Sequence, residues 1–391
     1  MKIFKTYFVI SLLSIVSALY LSEGYLTYIS DLRQINVSKI NKILQKEKNL
    51  KYDNRTKFEI YKDLNLEDKN VTVTVSPSKF NDPAKKLHFF SGISNSKTID
   101  CNENGYYSIH VSDRFGFNNP DNEWDEKEIE YLLVGDSFAH GACVNRPNDV
   151  SSVLRSLTNK SVLNLGYKAN GPLSMYGILK EYAPEKFKHL LWLYFEGNDL
   201  TDLTGELNTD ILKNYYFDKN FKQNLNLKQE YIDKQIKKII LNSTYLEDSI
   251  VSDAIKNSSM RYKILKFIRL NQTKEIIKSF FTKNKSKELP IDELRNILFF
   301  AKEFAKNNNS EFHFIYLPQY ERYKRKINDN NYNMIKAIVN NLDINFIDLH
   351  QEVFVTEKDP LKLFPFRMWG HYNELGYKKI GEKILTLVNA Y

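Results

Sequence analysis

Ser137 stands in Gly135-Asp136-Ser137-Phe138-Ala139-His140-Gly141, directly after the apolar run Ile129-Glu-Tyr-Leu-Leu-Val134. A serine in a tight turn after a buried strand can open a helix. Its hydroxyl is then exposed, and its own backbone N–H faces a reacting carbonyl. Three more blocks carry complementary groups. Asn164-Leu165-Gly166, followed by Ala169-Asn170-Gly171-Pro172, is a glycine-punctuated turn whose small residues let a backbone N–H approach a ligand. Glu196-Gly197-Asn198-Asp199 offers an amide able to donate to an oxyanion, and Gly370-His371-Tyr372-Asn373-Glu374-Leu375-Gly376 offers an imidazole base. Together these are the parts of acyl transfer through a serine. Singly, each block also reads as a turn, a cap or a surface histidine. Their order and placement give them weight.

Placement depends on the elements that carry them. The run 129–134 has the near-continuous apolar character of a strand buried on both faces, and 161–165, 189–195, 311–317 and 344–349 repeat it. Helical spacing lies between them, as in 149–157 and 291–306, and a last amphipathic helix is expected over 376–388. Strand and helix in alternation predict a parallel sheet with helices on both faces, whose ligands bind at the carboxyl ends of the strands. All four blocks fall there or just before the last helix. Residues 201–287 break the rhythm with Lys/Asn-rich helical spacing, as in 231–241 and 259–270, and read as a helical insertion. Ahead of the sheet, 71–75, 87–90 and 106–111 read as short strands of a small β-rich region.

The four blocks resemble those of the SGNH (GDSL-type) hydrolases, over about 129–200 and 291–391. The resemblance implies a flavodoxin-like three-layer α/β/α fold and no cofactor. It implies Ser137 as nucleophile, His371 as general base, and an oxyanion hole from the Ser137 N–H, the Asn198 amide and an N–H of the second block. The family's usual glycine position there is Ala169, with Gly171 two residues on, and the choice between them is open. One position departs: where the family places an Asp three residues before the His, this chain has Met368. Three outcomes follow. A backbone carbonyl or water orients His371, another acid such as Asp359 folds back, or the site binds without turnover. Asp136 and Asp199 read as turn formers, His140 as packing, and Tyr320 and Arg322 as loop residues at the same edge. His88, His110, His189, His313 and His350 show no metal-ligand spacing, so no metal is expected.

Composition narrows the setting. Charged residues are 27% and apolar ones 42%, which excludes a disordered tail. The net charge of +8 is scattered without a dense basic block, so a nucleic-acid partner is not expected. Lys2 and Lys5 precede an apolar stretch over 7–21, the pattern of an export signal that is either cleaved or kept as a membrane anchor. The only two cysteines, Cys101 and Cys143, would then meet an oxidising compartment; a disulfide is expected, against two separate buried thiols. The predicted organisation is a signal segment over 1–22, a stalk and β-rich region over 23–122, and a hydrolase domain over 123–391 with its insertion at 201–288. The function expected is an exported serine esterase acting on an acylated envelope glycan or lipid. The alternatives are an O-acyltransferase and a non-catalytic glycan-binding scaffold.

Overall fold

The apolar runs form strands with few exposed side chains: in Ile129–Gly135 and Phe187–Phe195 only Lys188 is exposed. Burial on both faces explains why these runs do not alternate. The computed structural model describes residues 2–47, 53, 55–77, 87–241, 264, 267–274, 276–277, 289–325 and 327–389. They fall into two compact units, Asp53–Asn242 with Leu289–Tyr391, and Met1–Tyr52 with Ser243–Glu288.

The second of these units carries α1 (Lys2–Glu47), one continuous helix. Its stretch Ile3–Tyr28 is long and apolar enough to cross a membrane. Glu23 on this helix is buried, and its carboxylate accepts the backbone N–H groups of Gln272 and Thr273 at 3.0 and 2.8 Å. Most of the helix expected over 259–270 lies outside the described residues.

The larger unit begins with α2 (Lys57–Glu67), opened by a capping box between Thr56 and Glu59. A small sheet follows, of β1 (Val71–Val73), β2 (Lys97–Ile99) and β3 (Ile109–Val111), in that order. The run 87–90 forms no strand; its residues 88–90 are buried, and Phe89 and Phe90 serve the core instead. The main elements are β4 (Ile129–Gly135), α3 (Ser137–His140), α4 (Val150–Thr158), β5 (Val162–Asn164), α5 (Pro172–Tyr182) and β6 (Phe187–Phe195). Next come α6 (Asp199–Glu206), α7 (Asp210–Phe217), α8 (Gln229–Leu241), α9 (Ile291–Asn307), β7 (Glu311–Leu317), α10 (Tyr320–Lys324), α11 (Asn330–Asn341), β8 (Asn345–Asp348) and α12 (Glu374–Val388).

The five large strands are all parallel, in the order β5-β4-β6-β7-β8. Counted from β4 this is the flavodoxin-like order 2-1-3-4-5, whose direction reverses between β4 and β6. Ser137 follows β4 and Asn198 follows β6, so both stand at that reversal. Alternate strand residues such as Leu133, Leu191 and Ile315 share a core with Val150 and Leu154 of α4 and Ile380 and Ile384 of α12. Helices α5 and α9 pack on each other. Helix α5 is buried along its whole length, which is why its sequence shows little amphipathic contrast.

Candidate active site

The turn from β4 into α3 leaves little room. A Cβ on Gly135 would lie 2.5 Å from the Ala139 Cβ, and one on Gly166 equally close to the same atom. Asp136 caps the short helix, its carboxylate accepting the Phe138 N–H at 2.8 Å. Asn164 braces the turn from the second block, donating to the Ala139 carbonyl at 2.6 Å. Ser137 is thereby held at the first position of α3.

His371 lies with Nε2 at 2.9 Å from the Ser137 Oγ. Its ring rests on Phe138, 4.7 Å between centroids. The group on its other nitrogen is another acid, though not Asp359. Glu103, from the β-rich stretch, sits with Oε1 at 3.0 Å from Nδ1 and accepts the His371 backbone N–H on Oε2 at 2.6 Å. One carboxylate thus fixes both the backbone and the ring of the same residue. A Cβ on Gly370 would stand 2.6 Å from that oxygen, so a side chain there would push the carboxylate aside. Burial pushes the Glu103 carboxyl up, but its hydrogen bonds to His371 and the imidazole's charge outweigh this and hold it below the usual range. A carboxylate there can accept an Nδ1 proton, an arrangement in which Nε2 is able to receive one from Ser137.

Asp359 is elsewhere, paired with Arg367. The Met368 carbonyl is not the partner of Nδ1 either. The resemblance points to an acid close to the histidine in sequence, and Glu103 is 268 residues from it. A signal did exist: Glu103 lies two residues after Cys101, and the predicted bridge to Cys143 brings this stretch to the nucleophile. That disulfide is present, with Cα atoms 4.8 Å apart. The loop has further ties. Asn104 donates to the Cys143 carbonyl at 2.9 Å, Asp100 forms an ion pair with Lys168, and the Tyr106 hydroxyl donates to Glu374 at 2.7 Å.

On the oxyanion side, the Ser137 and Ala169 N–H groups donate to no acceptor among the described residues. Ala169 adopts a left-handed backbone, φ 58°. Gly171, the other expected donor, is corrected: its N–H is buried and donates to Glu206 Oε1 at 2.8 Å. Asn198 gives an amide hydrogen to Asp202 at 2.9 Å, and its side chain also hydrogen-bonds the Asp136 carboxyl. Acids crowd behind it. Burial pushes Asp136 up, and burial with the Asp136 charge pushes Asp199 well up. Burial raises Asp202 to about 6 and Glu206 to about 7. Asp199 also serves its turn, accepting the Phe195 N–H at 2.9 Å.

The remaining expected positions have structural partners. His140 is buried between His110 and Tyr167. Tyr320 donates to the Arg367 carbonyl at 3.1 Å, and Arg322 pairs with Glu196 and Asp329.

No family model and no curated protein matches the chain. Solved structures do. A protein described as a lipolytic member of the G-D-S-L family, from Desulfitobacterium hafniense, is 15% identical over 66% of this chain and 99% of its own, TM-score 0.35. A G-D-S-L lipolytic protein of Veillonella parvula is 12% identical over 67% and 100%, TM-score 0.37. The psychrotrophic esterase EstA of a Pseudoalteromonas species is 9% identical over 67% and 98%, TM-score 0.32. By its own sheet order the chain has a flavodoxin-like parallel α/β fold, with the four blocks gathered toward the carboxyl edge of that sheet.

Proposed function

We propose that the chain is a serine esterase working through a Ser137–His371–Glu103 triad. The observation that carries this is the unbroken line from Ser137 Oγ to His371 Nε2 and from Nδ1 to the Glu103 carboxylate, at 2.9 and 3.0 Å. His371 takes the Ser137 proton as Oγ attacks an ester carbonyl. The oxyanion forms opposite the N–H groups of Ser137 and Ala169 and beside the Asn198 amide. His371 then returns the proton to the departing alcohol, and water, activated the same way, hydrolyses the acyl-serine. A completed triad favours turnover over a binding-only scaffold.

The long apolar helix over Ile3–Tyr28 and the disulfide support a membrane-anchored enzyme whose catalytic unit faces an oxidising space. In that setting the substrate is an acylated envelope glycan or lipid. Fluorophosphonate labelling with turnover of short-chain nitrophenyl esters tests the chemistry. The wild type should label and turn over, and Ser137→Ala should do neither while keeping its thermal stability. A wild type that stays unlabelled and inert overturns the reading.

A further inference from the structure

At the opposite edge of the sheet, strand register brings three side chains together. His189 of β6 is the cross-strand partner of Glu311 of β7. His313, two residues along β7, faces the same side, because side chains on a strand repeat every second residue. His189 Nδ1 lies 3.2 Å from His313 Nε2 and 3.3 Å from Glu311 Oε2, and the last two atoms are 3.5 Å apart. Two of these separations exceed an ordinary hydrogen bond. All three approach the edge of a tetrahedron, about 3.3–3.5 Å, set by metal–ligand bonds of about 2.0–2.1 Å.

We infer that His189, Glu311 and His313 form a divalent-cation site, fitted to Zn²⁺. Two imidazoles and one carboxylate are a donor set that borderline cations of this kind take. The supports are in place. Asn345 lies 2.8 Å from His313 Nδ1, and a half-turn of its amide presents the oxygen to the N–H that a ligating imidazole carries there. The His189 ring stacks on Tyr131, 5.3 Å between centroids and 19° from parallel. An open groove of about 1020 Å³, lined in part by Glu311, His313 and Asn345, leaves a fourth position for water. From His189 to Phe195 along β6 is about 20 Å at 3.3 Å per residue, so this cation takes no part at Ser137.

The experiment uses the full chain without a polyhistidine tag, stripped by chelator and titrated with ZnCl₂ in a calorimeter, with CoCl₂ as optical reporter. One Zn²⁺ per chain is expected, with a tetrahedral Co²⁺ visible spectrum. Glu311→Gln, at a side chain 59% exposed and so safe for folding, should weaken binding at least tenfold. Asn345→Ala should weaken it about 10- to 100-fold. No uptake, or uptake that neither Glu311→Gln nor His189→Ala diminishes, overturns the site. Repeating the titration on Ser137→Ala keeps the result independent of the esterase reading.

Discussion

At the carboxyl edge of the sheet, His371 meets groups 234 and 268 residues away, each carried on its own loop or turn. At the amino edge, His189 and His313 are 124 residues apart, yet they sit on neighbouring strands whose ladder places them without further help. Loops have no such ladder. Glu103 needs a disulfide, an ion pair and several side-chain hydrogen bonds to stand where it does. The carboxyl edge should therefore be sensitive to the loss of its ties, and the amino edge only to the loss of its ligands.

Removing the nucleophile draws this contrast most strongly. Ser137→Ala should lower kcat by about 10⁴-fold or more on nitrophenyl esters and leave Zn²⁺ binding intact. Glu103→Gln comes next: it keeps the shape but loses the charge, and kcat should fall about 10²- to 10⁴-fold. Asp359→Asn, in the same steady-state assay, should leave kcat unchanged. A fall with Asp359 and none with Glu103 would mean that the acid loop is ornamental. Cutting the disulfide tests the ties. Cys101→Ser with Cys143→Ser opens a loop spanning 42 residues, and urea denaturation should show a loss of about 4 kcal/mol.

The smallest effect concerns pH. Burial raises Glu206 from the ordinary carboxylate range to about 7. The folded state therefore binds its proton more tightly than the unfolded chain does. Glu206 contributes fully below about pH 4.5, and its contribution fades as pH rises through about 7. Relative to Glu206→Gln, the wild type should lose about 3 kcal/mol between pH 4.5 and 8.5 in urea midpoints. A constant gap would place the carboxyl in a wetter site than its burial implies.

Legibility followed the same division. Ser137 and Asn198 could be singled out because each follows a strand whose apolar run is unmistakable, and His371 because it stands in a glycine-flanked block just ahead of the last amphipathic helix. The disulfide could be read because only two cysteines exist. Glu103 could not, because a loop between short strands carries no periodicity and its distance from His371 in sequence says nothing of space. The histidine pair at the amino edge was invisible for another reason. Its spacing is set by which strands are neighbours, and sequence order does not give that. The choice between Ala169 and Gly171 stays open in the sequence because the acid that takes the Gly171 N–H, Glu206, comes from a helix two elements later.

The position of His371, just ahead of α12, also orders events in time. Synthesis delivers the acid first, the nucleophile second and the base last. Helix α12 must then close over α4, with Ile380 and Ile384 entering the core beside Leu154. Asn373 caps that helix, its side chain accepting the Gly376 N–H at 2.9 Å while its amide holds the Lys362 and Phe364 carbonyls. A nascent chain stopped short of this turn holds a serine with no base beside it. In the proposed mechanism, hydrolytic competence therefore arrives together with completion of the core.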